Sequence, residues 1–150
     1  MNTISTRYLG LELESPVIAG SSNFTSKVES IKEAEASGAG AVILKSLFEE
    51  QIVSLAGSML TQDPYPEADD YLKYYTRTNS VESYLDLIAG ARKSVNIPVI
   101  ASINCFSKKG WIDFAAEIEN AGASALEVNI FFLPVDKHQP GAEAEEMYYR

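Results

Sequence analysis

Apolar residues along this chain fall into two kinds of run. Short, mostly apolar stretches, Val17-Ile18-Ala19, Ala41-Val42-Ile43-Leu44 and Val99-Ile100-Ala101-Ser102-Ile103, follow a Pro or Gly, and Ala125 to Ile130 follows the Gly122-Ala123-Ser124 hinge. They match strands covered on both faces in a parallel sheet. Between them, apolar residues recur at helical spacing: Val28, Ile31 and Ala34; Val81, Tyr84, Leu85, Ile88, Ala91 and Val95; and Trp111, Phe114, Ala115, Ile118 and Ala121. Ser26-Lys27-Val28-Glu29 reads as a capping box opening the first helix, and Gly38 and Gly122 read as helix stops. The second helix is expected from Ser80 to about Val95. Thr6-Arg7-Tyr8 and Leu11-Glu12-Leu13 flank Gly10 as a small hairpin. The stretch from Ser46 to Ser80 exceeds what a strand-to-helix connection needs. It is expected to open as a helix through Ile52, Leu55 and Ala56, break at Asp63-Pro64-Tyr65-Pro66, and resume as a short helical turn at Tyr71-Leu72-Tyr75. A further helix is expected to start near Glu143.

The pattern repeats. Pro16-Val17-Ile18-Ala19 returns as Pro98-Val99-Ile100-Ala101, and Glu33 to Ala41 returns as Glu117 to Ala125. Each copy holds two strands with their helices over about eighty residues, so four copies would close an eight-stranded (β/α)8 TIM barrel. The expected fold class is therefore α/β of the TIM barrel family, here the first four βα units as a half-barrel, with the hairpin plugging its bottom. An open, flavodoxin-like sheet is the competing architecture. The whole of residues 1–150 reads as one domain.

Composition narrows the partners. With 12 Lys+Arg against 21 Asp+Glu, the formal net charge is −9, which disfavours nucleic acid as a ligand. No run approaches the roughly 18 apolar residues of a membrane span, and the opening residues lack a signal-peptide core. A cytoplasmic protein acting on a small molecule is expected. The single cysteine, Cys105, fits a reducing compartment.

Ligands of parallel α/β folds bind at the carboxyl ends of the strands. Those ends carry Ala19-Gly20-Ser21-Ser22-Asn23, Lys45-Ser46, Ser102-Ile103-Asn104-Cys105, and Asn129 followed by Ile130-Phe131-Phe132. Lys45 and Asn129 occupy equivalent places in the repeat. Lys45 reads as a cation for an anionic ligand, as a Schiff-base nucleophile, or as a lysine snorkelling from the sheet rim. Ala19-Gly20 offers bare main chain to a flat ring, or serves close strand packing. Cys105 reads as a reactive thiol or a small buried hydrophobe, and His138 as a solvated loop residue. Glu127 lies inside a strand, where a carboxylate needs a partner. No GxGxxG, Walker loop or metal-ligand spacing is present.

Taken together, Ser15 to Ser21, Gly40 to Ile52, Ile97 to Ile103 and Ala121 to Asn129 resemble the first half of the dihydroorotate dehydrogenase-like flavoproteins. The resemblance spans nearly the whole chain in order. It implies a (β/α)8 barrel, FMN at the strand ends and oxidoreductase activity of the kind found in pyrimidine metabolism. It further implies that Ala19 and Gly20 lie against the flavin ring, that Lys45 faces its pyrimidine edge with Ser46 beside it, and that Asn104 and Asn129 line the pocket. Phe132 stands where that family carries its catalytic Cys or Ser, and the family's substrate loop is not visible after Ser46. Dihydroorotate is therefore not the expected substrate, and no catalytic residue is assigned. The family's FMN-phosphate site belongs to strands seven and eight, so a homodimer or a carboxyl-terminal half-barrel is the expected partner. Two other readings stand beside this one: a non-catalytic, self-associating half-barrel, and a Schiff-base lyase using Lys45.

Overall fold

The structure, a computed structural model, describes residues 4–49, 66–104, 108–130 and 138–146, with side chains described except at 66–79, 108–111 and 113. The chain opens with a hairpin of β1 (Thr6–Tyr8) and β2 (Leu11–Leu13). Leu9 and Gly10 turn it with φ of 51° and 77°, the left-handed pair that matches strand twist. The order that follows is β3 (Ile18–Ala19), a 3₁₀ turn (Phe24–Ser26), α1 (Val28–Ala36), β4 (Ala41–Ile43), β5 (Leu47–Phe48), α2 (Pro66–Ser94), β6 (Val99–Asn104), α3 (Lys108–Asn120), β7 (Ala125–Val128) and α4 (Gly141–Glu146).

All pairings in the main sheet are parallel: β3 on β4, β4 and then β5 on the same edge of β6, and β7 on the other edge. Successive strands are laid down in one direction without reversal. A flavodoxin-like sheet must reverse its strand order and place helices on both faces. Here α1 packs beside α2 and α2 beside α3 in a single layer. The strand order and the single helix layer are those of a half-barrel, and the open-sheet alternative is excluded.

Alternation along the strands sends Val42, Leu44, Val99, Ala101 and Ile103 to the helix layer, where they meet Ile31, Val81, Tyr84, Ile88, Phe114 and Ile118. The opposite parity, Ile18, Ala41, Ile43, Ile100 and Ala125, faces the inner side and is covered at its base by Leu11 and Leu13 of the hairpin. The hairpin thus fills the bottom of the half-barrel, as its place in the sequence suggests.

Both helix stops of the repeat are Schellman endings. Gly38 (φ 91°) donates to Glu35 and Ala39 to Ala34; Gly122 (φ 92°) donates to Glu119 and Ala123 to Ile118. Three local expectations are corrected. Ser26 does not cap α1: Lys27 holds the cap position without a side-chain bond, and the Ser26 hydroxyl donates to the Asn23 carbonyl at 2.6 Å. The 3₁₀ turn has already claimed that hydroxyl. The helix expected from Ser80 begins at Pro66 and includes Tyr71 to Tyr75, since proline suits a first helical position. Leu47–Phe48 pairs with β6 as a strand. The helix expected through Ile52, Leu55 and Ala56 lies outside the described residues.

Glu35 supplies a long-range tie, its Oε1 accepting the Asn96 N–H at 2.6 Å and the Ile97 N–H at 3.2 Å. These amides leave α2 and enter β6 with no strand partner. Glu35→Ala is expected to lower stability by about 1–2 kcal/mol, read as a shift in the urea midpoint at unchanged slope.

Candidate functional site at the strand ends

The register of β6 reveals how the site is made. Val42 pairs with Val99 and Ile43 with Ile100, but Leu47 pairs with Ile103. From 42 to 47 the chain spends one more residue than β6 spends from 99 to 103, so Lys45-Ser46 forms a bulge in the strand. Bulges re-aim side chains and are frequent beside functional sites. The Leu44 N–H still donates to Ile100. An unbroken parallel ladder would next join the Ser102 N–H to Leu44 and the Ser46 N–H to Ser102. Instead, the Ser102 N–H donates to the Tyr84 hydroxyl at 2.8 Å, that hydroxyl donates back to the Ser102 carbonyl at 3.0 Å, and the Ser46 N–H donates to Ser21 Oγ at 3.0 Å.

The bulge brings Ser46 into a row that crosses four strands. Ser21 and Ser46 Oγ lie 3.1 Å apart, Ser46 and Ser102 Oγ 2.8 Å apart, and Ser102 Oγ donates to Glu127 Oε1 at 2.6 Å. Each hydroxyl has one proton. Ser102 spends its proton on Glu127, so Ser46 donates to Ser102 and Ser21 donates to Ser46. The hydrogen bonds therefore run in one direction, from the exposed Ser21 through the fully buried Ser102 to the half-buried Glu127. Glu127, whose partner the sequence does not reveal, is thereby satisfied.

Lys45 is exposed, and its Nζ donates to Asn23 Oδ1 at 2.7 Å, tying the bulge to the loop after β3. That loop is held by Thr25, completely buried, whose Oγ1 accepts the Ser22 N–H and donates to the Ser22 carbonyl. Asn104 Nδ2 donates to the Asn129 carbonyl at 2.8 Å, so the two asparagines meet across β6 and β7. Ala19 packs toward the helix-side core, whereas Gly20 is exposed with open space where a side chain would begin. What Ala19-Gly20 offers a ligand is main chain. The six residues singled out in the sequence thus stand at one rim. Ser21 and Ser102 stand in the strand-end segments of the sequence without a role assigned to them, and Tyr84 reads there only as part of a helix face. Ser102 carried a signal, as a polar residue within an otherwise apolar strand. Cys105 and Phe132 lie outside the described residues, and His138 is exposed.

A groove of about 540 Å³ opens at the other end of the strands, lined by Glu12, Glu14, Ser15, Glu35 and Asn96 among others. Two of its acids are already engaged, Glu12 with Arg7 at 2.8 Å and Glu35 with backbone amides. Its place at the amino ends of the strands is the stability face of such folds. No helix among the described residues is long and apolar enough to cross a membrane.

No family model matches this sequence, and no curated protein does. Among solved structures, an IMP dehydrogenase/GMP reductase-like protein from Corynebacterium glutamicum is similar, with 14% identity and a TM-score of 0.49. The alignment covers 98% of this chain and 40% of that protein. The chain thus spans less than half the length of that protein, and a likeness of this degree adds nothing to what the strand order shows.

Proposed function

We propose that the strand-end rim binds the ring of FMN and that the chain is the amino-terminal half of an FMN-dependent oxidoreductase acting on a small molecule other than dihydroorotate. The observation that carries the reading is the bulge, which sets an exposed cation, Lys45, and a hydroxyl, Ser46, next to the bare main chain of Gly20. The resemblance to dihydroorotate dehydrogenase-like flavoproteins rests on the segments that form this rim.

The residues present fit the ring end of the group. Gly20 leaves a surface free of side-chain atoms, Lys45 offers a cation, and Asn129 offers its side-chain amide. Lys45 is the one cation among the described residues of these strand ends, so the phosphate would be held by a partner half-barrel. FMN would supply hydride transfer. The chain's own residues would do the rest: Lys45 opposes negative charge at the ring edge, the Asn23 carboxamide aims it, and the serine row presents a fixed pattern of donors and acceptors.

Titration with FMN, followed by flavin fluorescence and visible absorbance, tests the reading. Saturable binding is expected, weakened at least tenfold in Lys45→Ala, which corresponds to about 1.4 kcal/mol. Unchanged flavin fluorescence with the wild-type chain, or equal binding by the variant, overturns it.

A second reading is favoured by the open edges. Val17 beside β3 is 61% exposed, and Val128 at the end of β7 and Ile130 just beyond it are 48% and 49% exposed. Unpaired strand edges of this kind favour self-association. Light scattering at the mass of two chains without added FMN, together with no flavin binding, would support a non-catalytic, self-associating half-barrel.

A further inference from the structure

We propose that Tyr84 is a positioning residue for the strand-end site, its hydroxyl standing in for the strand acceptor that the Ser102 N–H lacks and so holding the Lys45-Ser46 bulge open. The proposal relies on the strand ends being the site but not on the identity of the ligand.

The argument is one of backbone accounting. A buried N–H or C=O must be paired. Once the extra residue enters the chain at Lys45-Ser46, the Ser102 N–H is left without its strand acceptor, whereas the Leu47–Ile103 pairing brings the Leu47 N–H to the Ser102 carbonyl. Ser102 is wholly buried, so water does not take that role. A phenol suits the place, because its oxygen accepts from the N–H while its own proton goes to the second lone pair of the Ser102 carbonyl. Tyr84 reaches this point from α2, where Val81, Ile88 and Ala91 on the same stripe anchor its ring in the helix-side core. Its burial raises the phenol well above the ordinary value, so the hydroxyl keeps the proton it gives to Ser102.

The competing arrangement is the regular ladder. Without the phenol, the Ser102 N–H turns to the Leu44 carbonyl and the Ser46 N–H takes the place of the Leu47 N–H on the Ser102 carbonyl, as an unbroken sheet would have it. That pairing takes the Ser46 amide from Ser21 and turns the Ser46 side chain by the pleat toward the helix layer. The row from Ser21 to Glu127 would then break at its second member. The hydrogen bonds of the Tyr84 hydroxyl join the row at the main chain of Ser102, so its effect on Ser46 is indirect.

The test is amide hydrogen exchange with assigned NMR spectra on the wild-type chain, Tyr84→Phe and, as a control, Ile88→Val, all without flavin. In the wild type, the Ser102 amide is expected to be as protected as that of Val99; an unprotected Ser102 amide overturns the proposal before any variant is made. In Tyr84→Phe, Ser102 is expected to exchange at least tenfold faster than in the wild type, measured relative to Val42 and Val99, and the Ser46 amide resonance is expected to move. Ile88→Val weakens the core without touching Ser102, and should speed Ser102, Val42 and Val99 by one common factor. Uniform acceleration in Tyr84→Phe as well means a merely structural tyrosine. A change at Ser102 with Ser46 unmoved means that the phenol does not act on the site. Either result overturns the proposal. Because no flavin is used, failure here is distinct from failure of flavin binding.

Discussion

Tyr84→Phe is expected to be a strongly destabilising conservative substitution in this chain, costing about 1–3 kcal/mol in urea unfolding at neutral pH. The ring stays, so the apolar burial is retained. What is lost is an oxygen that accepts at 2.8 Å and donates at 3.0 Å to a completely buried residue. The Ser102 N–H left orphaned costs about 1–3 kcal/mol, while the carbonyl keeps the Leu47 N–H. The same hydroxyl gives the protein an alkaline limit. Burial chiefly, aided by the nearby Glu127 charge and opposed by the Ser102 hydrogen bond, pushes the Tyr84 phenol from its ordinary 10.0 up to about 12. The folded state thus favours the protonated phenol more than the unfolded state does. Its contribution is complete below pH 10 and is lost as pH rises toward 12, amounting to roughly 2–3 kcal/mol across that window. Urea midpoints measured on both sides of pH 10 should fall for the wild type, and that part of the fall should vanish in Tyr84→Phe.

Gly40→Ala is expected to cost about 3 kcal/mol or more, for a steric reason unrelated to backbone φ. A Cβ placed there would lie 1.9 Å from the Ser15 carbonyl oxygen and 2.8 Å from its carbon. Both are main-chain atoms on the way into β3, and the Gly40 N–H donates to the Val17 carbonyl at 2.7 Å. Relief requires moving a strand, which puts the penalty at or beyond the upper end of overpacking effects. Gly122→Ala makes the comparison. It has open space around it but a φ of 92°, so only backbone strain of about 1 kcal/mol is expected. Urea unfolding of the two variants should rank Gly40→Ala well below Gly122→Ala. Position 124, which matches 40 in the repeat, holds a serine whose Oγ accepts the Val99 N–H at 3.2 Å. A side chain is accommodated there, bonded to the main chain of β6.

The amino-acid sequence by itself determined the elements and their order, because period-2 and period-3.6 patterns and glycine helix endings are local properties. Ile31, Ile88, Phe114 and Ile118 are buried as their spacing requires, and Gly38 and Gly122 end their helices with the φ only glycine adopts freely. The repeat also placed Lys45 and Asn129 at the strand ends. Tertiary structure alone decided how those ends become a site. A one-residue bulge is a mismatch between two strands that are more than fifty residues apart, and nothing in either segment encodes it separately. The capping box at Ser26 failed for a similar reason, since its hydroxyl was taken by a turn that depends on the loop around Thr25. Ser102 and Glu127 became partners through parallel register across 25 residues, and Tyr84, one more apolar-face residue of a helix in the sequence, became the partner of a broken sheet because the helix layer happens to carry its hydroxyl to the gap.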